Sequence, residues 1–400
     1  RTPAQTPTPR DPRAKDIAER EKPFLNALCQ IRIRSMETIL DTNLAEVIQK
    51  ETGENVFLCY QCQKCSSGCP VAEHFDLAPN QVMRAIQLGQ KEMVLHSKTI
   101  WLCAMCETCA TRCPHEINIT KIMDALKIMA QKEGIEPKVP SVSFFYHAAL
   151  RGIQWFGRMY EAGLMAELYL RQMVSGQLDL NQVWKQDMPL ALKMLKAGKL
   201  KILPSIGKPR LKGRVLERKD GIAYFPGCSL HGTSKEYHLS IQAIFQKMGI
   251  PLHEPDGWGC CGTTPAHSTD HYLSTLLPMK NIALIQEEGF HYVTTPCPSC
   301  FLRMRVALKE TRETRELSEK ITRDIPHLSL NEIKIDHLLN TIVEKVGFER
   351  IASLVVKPLK GLRVVCYYGC IITRPPKITE VKDYEYPTQM DKLMNLLGIT

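Results

Sequence analysis

Eight cysteines, in two runs of identical spacing, are the residues of this 400-residue chain best suited to chemistry. Cys59, Cys62, Cys65 and Cys69, closed by Pro70, recur as Cys103, Cys106, Cys109 and Cys113, closed by Pro114, and every one is displaced by 44 residues. In a C-x2-C-x2-C-x3-C-P run, three closely spaced thiolates grip three corners of an iron–sulfur cube and the fourth cysteine reaches across to the other cluster. The expected sets are therefore Cys59, Cys62, Cys65 and Cys113 for one [4Fe-4S] cubane, and Cys103, Cys106, Cys109 and Cys69 for a second. Structural zinc or disulfides explain two copies in register, each closed by proline, less well.

A second constellation follows. Cys228 is separated by 31 residues from Cys260-Cys261-Gly262, and 35 more lead to Cys297-Pro-Ser-Cys300. Adjacent cysteines do not readily share one ordinary metal ion, but they suit neighbouring irons. A Zn(Cys)4 site with one cysteine spare is the alternative. A redox disulfide between Cys297 and Cys300 leaves the other three without a reason to converge. Gly259 and Gly262 are expected to let the backbone approach a cluster closely. Cys29 and Cys366 read as small buried hydrophobes.

The elements that must position these residues fall into two kinds. Around the first two runs the apolar spacing is helical: over 35–51 (Ile39, Leu40, Leu44, Val47, Ile48), over Pro79–Gly89 with Gly89 as the C-terminal stop, and over Ile117–Met129. From residue 213 the pattern alternates. Strands are expected at Ile222–Phe225 and His291–Thr295, and helices at Ser234–Met248, with Ser234 as N-cap and Gly249 at its end, and at Phe301–Lys309. Alternation of this kind predicts an α/β layer on a mainly parallel sheet, with Cys228, Cys260 and Cys261, and Cys297 each at a strand end or the turn after it. The stretch Leu362 to Cys370 repeats Ile222 to Cys228 at an offset of 142 residues. A second copy of the module is thus expected, incomplete, reaching Cys370 and stopping before its own cysteine pair.

Composition limits the alternatives. Hydrophobic residues make up 44% of the chain, enough for real cores, and its 16 cysteines are clustered as metal ligands are, not as in a secreted disulfide framework. Clusters of this kind favour a reducing, cytoplasmic setting. The formal charge of +10 has no aromatic-basic interleaving to suggest nucleic acid, and part of it offsets the negative charge of thiolate-ligated clusters. No apolar run reaches the roughly 18 residues of a membrane span; Val142 to Leu170 is broken by Arg151, Arg158, Glu161 and Glu167. Neither a secretory signal nor a starting methionine is evident, and residues 1–22 read as a disordered leader. Between the two halves, Phe144, Phe145, Tyr146, Trp155, Phe156, Tyr160 and Tyr169 read chiefly as core, with a docking surface for a partner subunit or a peripheral membrane contact as the sharper reading. Lys193, Lys196, Lys199 and Lys201 read as a solvated helix end, and Pro204 to Gly213 as a linker.

Cys59-Tyr-Gln-Cys62, Trp101-Leu-Cys103 and Cys113-Pro114 together resemble the C subunit of heterodisulfide reductase. Gly227-Cys228, Cys260-Cys261-Gly262 and Cys297-Pro-Ser-Cys300 resemble the cysteine-rich CCG domain of that enzyme's B subunit. The order is that of a fused C–B subunit, and the superfamily also includes subunits of glycolate, lactate, glycerol-3-phosphate and fumarate-type oxidoreductases. The resemblance implies a multidomain protein: a leader (1–22), an α-helical ferredoxin with two cubanes (23–135), a helical docking region (136–212), a first CCG module (213–345) and the start of a second (346–400). It implies a non-cubane [4Fe-4S] cluster on Cys228, Cys260, Cys261, Cys297 and Cys300, with Cys370 as a ligand of the second, incomplete module.

The function so implied is an iron–sulfur electron-transfer oxidoreductase subunit. Electrons would come from a flavin- and iron–sulfur-bearing partner, pass through the cubanes, and reduce or form a disulfide at the non-cubane site. The alternative is a non-catalytic relay in a dehydrogenase complex that delivers electrons to quinone or another carrier. A zinc-stabilised scaffold is the third reading, and iron with acid-labile sulfide would exclude it. Location in the cytoplasm, with any membrane association through partner subunits, is the matching expectation.

Overall fold

The computed structural model describes residues 43–176, 178–263 and 265–399. The leader 1–22, Cys29, Ile39 and Leu40 lie outside the described residues. The first cysteine run is preceded by helix α1 (Leu44–Thr52), which buries Leu44, Ala45 and Ile48. Val47 was expected on that face but is exposed; it sits one residue, about 100°, around the helix from Ile48.

Short helices then follow the cysteines: α2 (Lys64–Ser67), α3 (Pro79–Gln87), α4 (Lys91–Leu95), α5 (Thr99–Leu102), α6 (Thr108–Arg112) and the longer α7 (Ile119–Lys132). Gly89 follows α3 with φ +68°, as its predicted role as a helix stop requires. Ile48, Val82, Ile86, Val94, Ile100, Trp101, Ile122 and Leu126 meet in one apolar core. Hydrophobic burial therefore fixes the scaffold, and the cysteine loops hang from it.

Helices α8 (Pro140–Phe156), α9 (Glu161–Val174) and α10 (Met188–Lys196) form the region between the halves. Its aromatic stripe is only in part a core. Tyr146 is buried, whereas Trp155 is 66% exposed. The Pro204–Gly213 stretch is no free linker. Gly207 N–H donates to Phe156 O at 2.8 Å, and the N–H groups of Lys212 and Gly213 each donate to the Glu287 carboxylate at 2.7 Å.

The second half carries a four-stranded parallel sheet: β1 (Ile222–Tyr224), β2 (Leu252–His253), β3 (Tyr292–Thr295) and β4 (Lys334–His337), in the order β2-β1-β3-β4. Ala223 pairs with Val293, and Val293 with Ile335. Connecting helices α11 (Lys235–Lys247), α12 (His271–Glu287), α13 (Pro298–Glu313) and α14 (Arg315–Asp324) cover it. Ser234 does precede α11, but its side chain makes no capping hydrogen bond. Strands β2 and β4 carry no strong sequence signal. β4 reads Lys-Ile-Asp-His, and its buried polar groups are satisfied only by the fold: Tyr292 Oη donates to Asp336 at 2.8 Å, and His337 Nε2 to Pro296 O at 3.0 Å. Helix α12 is apolar around most of its circumference because it runs through the core, with Met279, Ile282, Ala283 and Ile285 wholly buried.

The expected repeat of the first strand is not a strand. Residues 362–369 carry no strand, and Val365 and Tyr367 are 93% and 84% exposed. An apolar stretch becomes a strand only when a neighbour completes its hydrogen-bond ladder, and none of the described strands lies beside it.

Candidate metal centres

The 44-residue repeat is a repeat of backbone conformation as well as of cysteines. Gln61 and Gln63 adopt φ +64° and +63°, and Met105 and Glu107 adopt +53° and +58°. Each pair sits inside its C-x2-C-x2-C loop, and none is glycine. Left-handed backbone at such residues costs roughly 1–2 kcal/mol apiece. These residues turn each loop, and Gln63 and Glu107 start α2 and α6 at equivalent places.

Those two short helices pack together. A Cβ built on Gly68 would lie 2.9 Å from the Arg112 guanidinium. The contact brings the two runs into register. Cys62 and Cys113 both act on the Tyr60 phenol, whose pKa is raised by burial and then by these two thiols. Cys69 lies within electrostatic reach of Cys106, and Cys65 within reach of Cys59 and Cys62. Cys109 faces Cys103, Cys106 and Cys65. Cys69 is thus set near Cys106 of the second run, and Cys113 near Tyr60 of the first. Burial pushes the Cys103 thiol up to about 11 and Cys109 well above its usual value. Loading either cradle with iron must therefore release protons.

The first half docks on the second through α7. Wholly buried Lys127 points its ammonium at Asp124, 3.2 Å away, and at Met105 Sδ, 3.9 Å away. Met105 Sδ lies 4.0 Å from Cys103 Sγ. Across the junction His267 Nδ1–H donates to Asp124 at 3.0 Å, Gln131 Nε2 donates to Ser268 O at 2.6 Å, and Lys121 pairs with Glu310 at 3.0 Å. Burial pushes Asp124 upward, but His267 and then Lys127 outweigh it and hold the carboxyl at about 2. Burial keeps His267 below its ordinary pKa, so it donates as a neutral imidazole. A cleft of about 640 Å³ opens along this junction, lined by Glu107, Cys113, Asp124, His267, Arg303 and Glu310 among others.

Three loops at the carboxyl edge of the sheet carry the second constellation. Cys228 follows β1, Cys260 and Cys261 follow β2, and Cys297 and Cys300 follow β3. Since the chain moves outward from β1 to β2 on one side and from β3 to β4 on the other, Cys228 and Cys297 flank the topological switch point, where open α/β sheets bind ligands. Cys297 is the N-cap of α13, Pro298 fills its first position, and Cys300 lies in its first turn, at the positive end of the helix dipole. The thiols influence one another in a chain: Cys260 with Cys261, Cys261 with Cys300, and Cys300 with Cys297. The neighbouring thiols lower Cys261 and Cys297, whereas burial pushes Cys228 to about 12. The five sequence-expected residues are therefore together.

Tetrahedral zinc at about 2.3 Å from sulfur draws its thiolates to about 3.8 Å from one another. Among the described residues, the three ligand atoms that lie within 4.8 Å of one another belong to two histidines and a glutamate, not to cysteines.

Glycine roles differ from expectation. Gly259 abuts Gly207 O, at 2.7 Å from a built Cβ, and so admits the 204–213 segment. Gly262, with φ +77°, abuts Ser274 O at 2.9 Å, on α12 where Pro278 supplies no N–H to that carbonyl. Two glycines face thiols: Gly227, with φ +77°, has a built Cβ 2.8 Å from Cys300 Sγ, and Gly262 N–H donates to Cys260 Sγ at 3.4 Å. For Gly227, its place directly before Cys228 was the available signal.

Two further cysteines have positions that the repeat did not indicate. Cys370, assigned to a second and incomplete module, lies near Cys106 and Thr108. Loop 370–379 folds back onto the first half, where Arg374 Nη1 donates to Thr108 Oγ1 at 3.1 Å. Cys366, expected inside a strand, is half-buried beside Asp391. Arg158 was missed altogether. It donates to Trp258 O at 2.7 Å, its guanidinium lies 3.5 Å over the Trp258 ring, and the adjacent Gly157 O accepts from Cys260 N–H at 2.8 Å. The helical region thereby clamps the loop that carries the cysteine pair.

Comparison with known proteins agrees with this division. Residues 58–118 match the family described as 4Fe-4S dicluster domain, and residues 222–305 the family described as cysteine-rich domain, or CCG. The chain is 31% identical over 179 residues to the 8-methylmenaquinol:fumarate reductase membrane anchor subunit of Wolinella succinogenes, 44% of this chain and 61% of that one. It is 25% identical over 182 residues to a B-like heterodisulfide reductase subunit of Archaeoglobus profundus, 44% of this chain and 60% of that one. It is 32% identical over 101 residues to a C-like heterodisulfide reductase subunit of the same organism, 25% of this chain and 54% of that one. The chain thus spans between about half and three-fifths of the length of these relatives. No helix among the described residues is long and apolar enough to cross a membrane. One polypeptide therefore carries both a 4Fe-4S dicluster domain and a CCG cysteine-rich domain, and it is related to the C and B subunits of heterodisulfide reductase.

Proposed function

We propose that this chain is the electron-transfer and substrate-facing subunit of a heterodisulfide-reductase-like complex. The observation that carries the reading is the convergence of Cys228, Cys260, Cys261, Cys297 and Cys300 at the carboxyl edge of a sheet docked on the helical half. In this reading Cys59, Cys62, Cys65 and Cys113 hold one cubane, Cys103, Cys106, Cys109 and Cys69 a second, and the five converging thiols a non-cubane [4Fe-4S] cluster. Residues 23–135 form the ferredoxin, 136–212 the clamp, 213–345 the CCG module and 346–400 the segment that closes back. Bound clusters supply one-electron steps, and at the far end two electrons and two protons convert a disulfide to two thiols, or the reverse.

The chain's own residues do the rest. The strained loops hold the cradle shape before any iron binds. Lys127 offsets negative charge beside Cys103, and the Lys121–Glu310 and Asp124–His267 contacts keep the halves in one orientation. Arg158 and Gly157 hold the Cys260–Cys261 loop against the clamp. Upstream electrons would come from a flavin- and iron–sulfur-bearing partner subunit. A pure relay to quinone is the second reading, and the Wolinella relative, named as an anchor subunit of a menaquinol-dependent enzyme, favours it.

Anaerobic iron and sulfide analysis with EPR, before and after disulfide addition, tests the assignment. Cys261→Ala is expected to keep both cubane signals and lose the third. An unchanged third signal in that variant rules the five-cysteine site out. Thiol release from an added disulfide supports the first reading, and reduction of a quinone analogue without thiol release supports the second.

A further inference from the structure

Behind the Cys228 turn lies a cluster that the electron path does not use. His231 ends the 3-10 turn that begins at Cys228, His238 lies in the first two turns of α11, and Glu254 follows β2. One ligand-capable atom from each falls within 4.8 Å of the others, and all three side chains are partly buried. His231 Nε2 is 3.0 Å from Glu254 Oε1. We propose that His231, His238 and Glu254 form a binding site for a divalent cation of the zinc class, with a fourth position open to water.

The supporting shell is what separates this cluster from an ordinary ion pair. Ligating imidazoles hold their second nitrogen in a hydrogen bond, which fixes tautomer and ring orientation. His238 Nδ1 is engaged by Tyr224 Oη at 3.0 Å, which leaves Nε2 to face the cluster. Glu254 accepts from Trp258 Nε1–H at 2.7 Å. Tyr224 and Trp258 are each only 1% exposed, so the shell is rigid. Protonation states match as well. Burial, with His231 nearby, lowers the His238 pKa and keeps the ring neutral. Burial pushes Glu254 upward, but the hydrogen bonds from His231 and Trp258 outweigh it and leave a carboxylate. Two imidazoles and one carboxylate are a ligand set that holds zinc with an open position.

Such an ion would join the turn that starts at Cys228 to the loop that ends at Trp258, two residues before Cys260. It would brace two of the three loops that carry the five thiols.

The test uses the cluster-loaded full-length chain, washed anaerobically with chelator and then titrated with Zn2+. Zinc and iron are counted by elemental analysis, and the zinc environment is read by X-ray absorption. One zinc per chain is expected, in a nitrogen and oxygen shell at about 2.0–2.1 Å. H238A and E254Q should each lose that zinc with iron per chain unchanged. Y224F, which keeps the ligands and the ring, should bind it roughly ten-fold more weakly. Absence of stoichiometric zinc in the wild type, a sulfur shell around it, or unchanged binding in H238A/E254Q would overturn the site. Iron content is read separately, so failure here is distinct from failure of the electron-transfer reading.

Discussion

The ammonium of Lys127, wholly buried, lies 3.2 Å from the carboxylate of Asp124, whose other oxygen accepts from His267 across the junction of the two halves. Burial works against the charge of Lys127, and Asp124 outweighs it and raises its pKa. One ion pair thus serves three surfaces: the α7 helix, the Cys103 loop and the CCG half.

Asp124→Asn leaves that ammonium without its counter-charge and should destabilise the chain by about 3–5 kcal/mol. Anaerobic denaturant unfolding measures it. Lys127→Met removes the charge beside Cys103 and should make the cluster held there harder to reduce, with a potential more negative by on the order of tens of millivolts. An EPR-monitored redox titration in which the potential stays put would falsify a role for Lys127 at that cluster.

Gly227→Ala should empty the second constellation without touching the first. A Cβ there would sit 2.8 Å from Cys300 Sγ, and the residue holds φ +77°. Backbone strain alone costs roughly 1–2 kcal/mol, and the thiol must also move. Iron per chain should fall by one cluster's worth, with both cubane spectra retained. Full iron occupancy in this variant means that Cys300 is not held as described.

His337 makes stability depend on pH. Burial lowers its pKa from 6.5 to about 4, while Nδ1 accepts from Leu339 N–H and Nε2–H donates to Pro296 O. The unfolded chain therefore takes up a proton first as pH falls. The stabilisation is complete above about pH 7 and is lost as pH drops from about 6.5 toward 4. The loss is about 1 kcal/mol by pH 5.5 and approaches about 3 kcal/mol at pH 4. Unfolding curves at pH 7.5 and 5.5 should show it in the wild type. In His337→Phe, which removes the titrating ring, this contribution should be absent.

Cys370→Ser should leave the iron content of all centres unchanged while altering the EPR line shape of the cluster beside Cys106. Its thiol lies within electrostatic reach of Cys106, and ligand sulfurs report such neighbours in their potential and spectrum. Loss of a whole cluster would instead make Cys370 a ligand.

Spacing alone was enough to define the two C-x2-C-x2-C-x3-C-P runs, the CCG pattern and the class of each half. Ligand chemistry constrains residue type and separation directly, and helical or alternating periodicity records which face meets a core. The left-handed residues Gln61, Gln63, Met105 and Glu107 left no such mark, because no glycine stands there to announce them. Strands β2 and β4 were hidden for a related reason: two to four residues carry too short a pattern, and the buried Asp336 and His337 of β4 are tolerated only because Tyr292 and Pro296 meet them.

What tertiary structure alone decided is which distant residues share a site. Repeat logic placed Cys370 with a second module, yet packing of the 370–379 loop sets it at Cys106. Arg158 and Gly157, with nothing in their sequence to mark them, come to grip the Cys260 loop a hundred residues on. His231, His238 and Glu254 follow no metal-binding spacing, and only the parallel order of β1 and β2 brings them to one point. Sequence separation governs local geometry, but contacts across a hundred residues are chosen by the burial of apolar surface, which no short motif records.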